Sequence, residues 1–237
     1  MKMTVIIPCY NEAENIPLLL KRFNQVIKGQ ELTVILVNNG STDDSAEVIS
    51  TLIPEYPFAQ TIHVPINKGY GYGILQGLQI AEGDYVGWTH ADMQTDPADV
   101  VKAYHIASKY SGEKLFIKGK RIGRPVIDQF FTKGMSLFES VYFRMPLFDI
   151  NAQPNIFPRS FFESWENAPY DFSLDLYAYY EAKRCGLMVR RFAVSFPERL
   201  HGQSKWNHGD LQSKWKFIKR TIKFSIALKH GVWNKNE

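Results

Sequence analysis

The feature that most restricts this chain is a repeated pattern: a short apolar run, a polar cluster that stops it, then a helical stretch. Thr4-Val5-Ile6-Ile7-Pro8 stops at Cys9-Tyr10-Asn11, and the run over 32–37 stops at Asn38-Asn39-Gly40-Ser41. A run over 61–64 leads to Asn67-Lys68-Gly69-Tyr70-Gly71-Tyr72-Gly73, and one over 84–88 leads to His90-Ala91-Asp92-Met93-Gln94-Thr95-Asp96. Strands alternating with helices, with no tight hairpin between them, predict a parallel sheet covered on both faces. In open sheets of this kind ligands bind outside the carboxyl ends of the strands. All four polar clusters fall at such ends, so one α/β sheet would gather them on a single rim.

Local signals place the helices. Asn11 is positioned to cap a helix over about 12–28, with acids in its first turn and Lys21, Arg22 and Lys28 towards its end. A short helix follows over 43–52, and the Gly-rich turn opens another that runs to about 81. Asp96 before Pro97 reads as the N-cap of the next helix. The second half is less regular: a strand over 115–118 ending in Gly119-Lys120-Arg121, an aromatic-rich helix over 127–143, a strand over 155–157, a helix over 173–185 stopped by Gly186, and a strand over 188–196. Trp88, Tyr142 and Phe143 read as core. Asp149 is either a turn residue or a hydrogen-bonding partner of an acceptor. Asp171 and Asp175, at the start of a helix, are candidate general bases.

Composition sets the outer bounds. The 237 residues suffice for one large α/β domain, and 45% apolar with 22% charged residues is ordinary for a folded globular chain. No apolar run approaches the roughly 20 residues of a membrane-spanning helix. With no leader signal at its start, the chain is expected in the cytoplasm. Cys9 and Cys185 make no disulfide framework and are expected to be reduced and buried. The net charge of +4 is uneven: residues 205–237 carry eight Lys/Arg against Asp210 and Glu237, a net of +6, so the first 204 residues carry −2. The basic residues of 214–229 interleave with two apolar stripes, Trp215, Ile218, Ile222 and Ser225 on one and Phe217, Phe224 and Leu228 on the other. A basic amphipathic helix with Trp and Phe can lie in a membrane interface, on the inner membrane face here, or pack on the catalytic domain or a second subunit. Neither a helix-turn-helix pattern nor an interleaved aromatic platform points to nucleic acid. The oligomeric state stays open.

Taken in order, five segments resemble the family 2 glycosyltransferases of the GT-A fold, most closely the dolichyl-phosphate mannose synthase-like branch that acts on polyprenyl phosphates. They are Val5-Ile6-Ile7-Pro8-Cys9-Tyr10-Asn11-Glu12, Val37-Asn38-Asn39-Gly40-Ser41-Thr42-Asp43, Asn67-Lys68-Gly69-Tyr70-Gly71, Ala91-Asp92-Met93-Gln94-Thr95-Asp96-Pro97, and Arg199 through Gly202-Gln203-Ser204-Lys205. The resemblance implies a GT-A domain over 1–206, an open, mostly parallel sheet with helices on both faces, followed by a basic amphipathic helix or tail over 207–237. It implies an inverting transfer from a nucleotide-diphosphate sugar to a polyprenyl phosphate or lipid-linked glycan. A soluble or glycan hydroxyl acceptor, or a non-catalytic nucleotide-sugar-binding scaffold, is the alternative.

By the same resemblance Pro8, Tyr10, Asn11, Glu12, Asn38, Asn39, Ser41, Lys68, Gly69, Ala91, Asp92 and Gln94 line the nucleotide-sugar pocket. Asp92, Gln94 and His90 would hold a divalent ion, Mg²⁺ or Mn²⁺. Arg121, Arg199 and Lys205, with Ser204, would meet phosphates. The resemblance breaks at two places: Asn38-Asn39 stand where the family carries Asp-Asp, and His90 stands where it carries Asp. Mg²⁺ takes hard oxygen ligands, whereas imidazole suits softer transition metals. His90 is thus a ligand to Mn²⁺, a donor to phosphate or a shaper of the turn. An amide both donates and accepts, so the base that Asn38 and Asn39 would read stays open.

Overall fold

The structure, a computed structural model, describes residues 1–110, 114–123, 126–197 and 211–233. Seven strands form one sheet in the order β3-β2-β1-β4-β6-β5-β7. Four lie in the first half: β1 (Met3–Cys9), β2 (Leu32–Asn39), β3 (Ala59–Val64) and β4 (Tyr85–Trp88). They pair in parallel, with Val5 opposite Val34 and Gly87. Helices α1 (Asn15–Val26), α2 (Ser45–Leu52), α3 (Tyr70–Ile80) and α4 (Pro97–Lys109) make the crossovers.

The second half departs from an all-parallel sheet. β6 (Asn155–Pro158) runs antiparallel between β4 and β5 (Leu115–Ile122), while β5 pairs in parallel with β7 (Met188–Ser195). The sheet is mixed because β6 is entered from a loop at the site end, which has already carried the chain to the opposite edge of β4. Helices α5 (Val126–Phe143), α6 (Arg159–Glu163), α7 (Leu174–Arg184) and α8 (Leu211–Lys229) complete the chain.

Strand periodicity explains the two cores. Along β1, Met3, Val5, Ile7 and Cys9 face the layer of α1 and α4, whereas Ile6 faces α3; β2 splits in the same way, with Val34 and Leu36 on one side and Ile35 and Val37 on the other. Trp88 and Phe143 are buried as expected, and Tyr142 is half-buried. Cys9 is buried, but Cys185 is exposed: it follows α7 just before the left-handed Gly186 and faces outward.

Two helix expectations are corrected. α1 starts at Asn15 and ends at Val26, so Lys28 lies beyond it and no acid occupies its first turn. Asn11 does not cap it, because Asn11 sits in the left-handed region (φ 56°) with its side chain turned across to the next strand end. By contrast Asp96 does cap α4, accepting from Ala98 N at 2.9 Å with Pro97 at the first helical position.

The helix over 211–229 forms but does not stand apart. Its Phe224 is 2% exposed and packs edge-on against Trp233, and Ser225 donates to Glu139 of α5 at 2.8 and 2.9 Å. Burying Phe224 contributes about 2 kcal/mol, enough to hold α8 to the body through one face. Among the described residues, no helix is long and apolar enough to cross a membrane.

Candidate active site

At the rim above β1 and β2 the two strand ends are laced together. Asn11 accepts from Thr42 N at 2.8 Å and its own N–H donates to Ser41 Oγ at 3.1 Å. Glu12 N–H donates to Ser45 Oγ at 2.9 Å, and the Glu12 carboxylate accepts from Asn15 Nδ2 at 2.6 Å. Pro8, Tyr10 and Ser41 are half-buried on this rim, so it has a floor that a flat ligand could rest on.

Asn38 and Asn39 lie deeper than a base reader would. Both are nearly inaccessible, at 3% and 2% exposed. Asn38 pairs with His63 Nδ1 at 3.0 Å and accepts from Ser41 N at 3.1 Å, so its amide shapes the turn and is not presented to a base edge. Asn39 donates to Gly69 O at 3.0 Å, and its Oδ1 is buried without a hydrogen-bond partner among the described residues. Isoelectronic amides fit here because a buried, unpaired carboxylate would cost several kcal/mol.

The Gly-rich turn has a structural occupant. A Cβ on Gly69 would lie 2.3 Å from Tyr170 O, and one on Gly71 would lie 2.5 Å from Pro169 O and 2.7 Å from Asp171 O. The glycines therefore admit the chain's own 169–171 backbone, and Tyr72 N–H donates to Tyr170 O at 2.9 Å. Lys68 is exposed at the turn's edge, its Nζ 5.2 Å from the Tyr72 ring.

β4 delivers the third cluster. Thr89 and Thr95 share a hydrogen bond of 2.9 Å that closes the loop between them, and Met93 at its tip has φ 58°. Asp92 is 4% exposed and accepts from Gln94 N at 3.1 Å, while Gln94 Nε2 donates to Pro197 O at 3.0 Å. Ala91 is buried and His90 half-buried. The His90 ring lies 5.9 Å from Tyr70, which stacks on Phe172 at 4.5 Å. Asp92, His90 and Gln94 thus share one short loop, as the motif implies.

Beneath that loop is a polar network that the motifs do not mark. Asp175 is 1% exposed; its Oδ1 accepts from Trp88 Nε1 (3.1 Å), Gln153 Nε2 (2.8 Å) and Asn155 Nδ2 (3.0 Å). Asn155 in turn accepts from Lys118 Nζ at 2.8 Å, and that fully buried ammonium also donates to Ile150 O and Ala152 O at 2.5 and 2.7 Å. Burial raises the Asp175 pKa, opposed by the charges of Lys118 and His90. Burial likewise draws Lys118 down to about 7, while Asp175 and Asp149 favour its charged form. Three oxygens around one nitrogen require three N–H donors, so we take Lys118 as an ammonium. Asp175 is accordingly a buried counter-charge below the site, and the expectation that it faces an acceptor as a base is corrected.

On the far side, Asp149 (φ 51°) accepts from Arg121 N and Nε, both at 2.8 Å, and from Arg121 Nη2. Arg191 Nη2 lies 3.6 Å from the same carboxylate. Burial alone would raise the Asp149 pKa, but the Arg121 charge and hydrogen bonds hold it below the usual value. Two guanidiniums on one carboxylate leave a net positive charge. Asp149 is thus the anchor that aims Arg121. The remaining base candidate, Asp171, pairs with Arg220 at 3.0 Å. Arg199, Ser204 and Lys205 lie outside the described residues.

For a divalent ion the loop offers one carboxylate, Asp92, with His90 and Gln94 beside it. Among the described residues no group of three or more His, Cys, Asp or Glu side chains clusters as a complete metal cage. That donor set fits an ion held by one or two protein ligands and completed by substrate phosphate and water, as Mg²⁺ commonly is.

The model of the family described as "Glycosyl transferase family 2" matches residues 4–177. The chain belongs to glycosyl transferase family 2. Within the family it is similar to undecaprenyl-phosphate 4-deoxy-4-formamido-L-arabinose transferases, 36% identical over 112 residues to that of Serratia proteamaculans and 33% to that of Yersinia enterocolitica. Those matches span 46% of this chain and 34% of either relative, about a third of their length. Among solved structures, glucosyl-3-phosphoglycerate synthase from Mycobacterium tuberculosis with Mn²⁺, UDP-glucose and phosphoglyceric acid superposes with TM-score 0.75 at 15% identity, over 98% of this chain and 81% of that one. The same enzyme with Mg²⁺ and UDP gives 0.72 at 15% identity, over 98% and 80%. The GT-A architecture expected from the motifs is therefore the one observed.

The residues that sequence reading passed over are Lys118, Gln153 and Asn155. One signal was visible: Leu115-Phe116-Ile117-Lys118 places a lysine at the end of an apolar strand run, where only a paired charge is tolerated.

Proposed function

We propose that this chain transfers a sugar from a nucleoside-diphosphate sugar to a polyprenyl phosphate, with inversion, on the cytoplasmic face of a membrane. The observation that carries the choice of acceptor is the state of the two candidate bases, Asp175 and Asp171, and of Asp149, the candidate acceptor partner. Asp175 is buried under three donors, Asp149 is clamped by Arg121, and Asp171 is paired with Arg220. A hydroxyl acceptor needs a carboxylate within about 3 Å to take its proton, whereas a phosphate acceptor is already an anion. The names of the undecaprenyl-phosphate transferases to which the chain is similar support the same acceptor class.

In this reading an acceptor phosphate oxygen attacks the anomeric carbon as its bond to the diphosphate breaks. The bonding pair leaves with the nucleoside diphosphate, so charge grows on that group and cationic groups aimed there lower the barrier. Arg121, held rigid by Asp149, steadies acceptor or donor phosphate, a task the family resemblance also gives to Arg199 and Lys205. Tyr10, Pro8 and the Asn11–Ser41 lacing support the nucleotide. Asp92, with His90 and Gln94, would hold Mg²⁺ or Mn²⁺, which when bound supplies Lewis acidity to the diphosphate oxygens. Residues 214–229 bring the enzyme to the surface where such an acceptor resides.

The test is titration with UDP, GDP and CDP, with and without Mn²⁺ or Mg²⁺, followed by thermal stability, and then transfer assays on undecaprenyl phosphate and on glycan hydroxyls. Saturable stabilisation by one nucleotide and turnover only with the lipid phosphate support the proposal. Nucleotide binding without turnover on any acceptor would support a scaffold, the reading that Asn38, Asn39 and His90 motivate.

A further inference from the structure

The packing of α8 leaves an unexpected surface exposed on its partner. The inward residues of α8 are Thr221, Phe224 and Ser225, and they meet α5 through Glu139, which is fully buried. α5 turns its opposite face outward. Leu137 is 63% and Val141 70% exposed, Phe138 lies beside them, and with Gly134 and Tyr142 they line an open apolar groove of about 380 Å³. Spacings of three and four residues put these on one helical stripe.

Among the described side chains, the charges flanking the stripe are all of one sign. Exposed Lys133 precedes it on the same helix and exposed Arg144 follows it. From α8, Lys229 reaches over to donate to Tyr142 O, and its Nζ lies 4.2 Å from the Tyr142 ring that lines the groove. Lys219 and Lys223 also face outward, as does Trp215 at 60% exposed. Among the described side chains of α5 and α8 the only acid is Glu139, and it is buried.

We infer that Leu137, Phe138 and Val141 of α5, rimmed by Lys133, Arg144 and Lys229, form the face that this protein inserts into an anionic lipid surface, with the exposed Lys219 and Lys223 of α8 adding positive charge. This deepens the membrane part of the proposed function and rests on it, but needs no transfer chemistry. It also moves the inserting element from α8 to α5. The apolar side of α8 is largely occupied by the protein, so α8 contributes cations and Trp215 while α5 contributes the apolar wedge. A second copy of this chain is disfavoured as occupant because apposed stripes would bring like-charged rims together. An anionic surface answers both the apolar stripe and its rim, each lysine near it adding about fivefold to partitioning.

The experiment is flotation of the full chain with phosphatidylcholine vesicles, with and without phosphatidylglycerol, at low and high salt. Wild type is expected to float with the anionic vesicles and to be released by salt. Leu137→Ser/Val141→Ser is expected to lose about tenfold in partitioning, and Lys219→Glu/Lys223→Glu about 25-fold or more. Both changes are at exposed positions, and unchanged nucleotide-induced thermal stabilisation would show each variant folded. Wild type that binds neither vesicle, or a serine variant that floats as well as wild type, would overturn the inference. So would a wild-type dimer in size-exclusion chromatography that the serine variant converts to monomer, since the stripe would then be a subunit interface. Flotation without any nucleotide binding would sink the transferase reading and leave this one standing.

Discussion

Lys118 and Asp175, both fully buried, are joined through a single side-chain amide: Asn155 accepts from the Lys118 ammonium at 2.8 Å and donates to the Asp175 carboxylate at 3.0 Å. The bridge links the arm that carries Asp149 and Arg121 to the floor beneath His90. Removing one charge strands the other in a low-dielectric interior.

Lys118→Met should therefore cost about 3–5 kcal/mol in urea unfolding. Asp175→Asn keeps an acceptor for Trp88 and Gln153 and should cost less. The double variant should be more stable than the sum of the two losses predicts, because neither charge is then left unpaired. Strict additivity in that cycle would show that the two residues do not act as a pair.

Glu139 gives a pH dependence with a definite sign. Its burial raises the pKa from 4.5 to about 7, against the opposing hydrogen bond from Ser225. The folded state then holds a proton that the unfolded chain has released, so stability falls as pH rises from about 4.5 to about 7 and levels off above. Glu139→Gln keeps an acceptor for Ser225 and should be more stable than wild type by about 3 kcal/mol at pH 8. The gain should vanish near pH 4.5, as thermal melts of the two proteins across this range would reveal.

Two glycines should respond oppositely to alanine. Gly71→Ala drives a methyl group into Pro169 O and Asp171 O, backbone atoms that cannot swing away, and should lower the melting temperature by more than about 5 °C. Gly134 in the middle of α5 has nothing within 4 Å of its Cβ position, so Gly134→Ala should stabilise by about 0.5–1 kcal/mol. If Gly71→Ala melts like wild type, the 169–171 segment does not sit where the structure puts it.

His90→Asp tests the ion reading. His90 now favours the charged form of Asp175. A carboxylate in its place would oppose Asp175 and lower stability by about 1 kcal/mol without metal. With Mn²⁺ or Mg²⁺ and the matching nucleotide, the variant should regain that loss and bind the ion about tenfold more tightly. Calorimetric titration measures this directly; an affinity equal to wild type would mean that position 90 does not face the ion.

The first half of the fold was legible because each strand there alternates its faces and ends in residues that stop it. The four parallel strands, the polar rim and the Asp96 cap all follow from local signals. β6 was legible as a strand but not in its direction, since four residues carry no mark of which neighbour they join. The tail was legible as amphipathic, yet which stripe is buried depends on Glu139, far away in sequence, offering its carboxylate to Ser225. Asn38 and Asn39 were read as base-facing because their motif is; their burial is set by His63 and Gly69, which no local pattern ties to them. Lys118 shows the same limit: a lysine ending a strand is visible, but its three oxygen partners come from the loop before β6 and from β6 itself, more than thirty residues on.

β6 also bears on how relatives of this chain can be recombined. It is the seam between the β3-β2-β1-β4 block and the β5-β7 block, and it meets β5 through only two residue pairs, one of them Lys118 with Asn155. A hybrid splicing the nucleotide half of one transferase to the acceptor half of another would cross the sheet at its thinnest place. The backbone would tolerate such a graft, but the side chains would not be independent: residues 88, 118, 153, 155 and 175 would have to travel as one set, whichever parent supplied the rest.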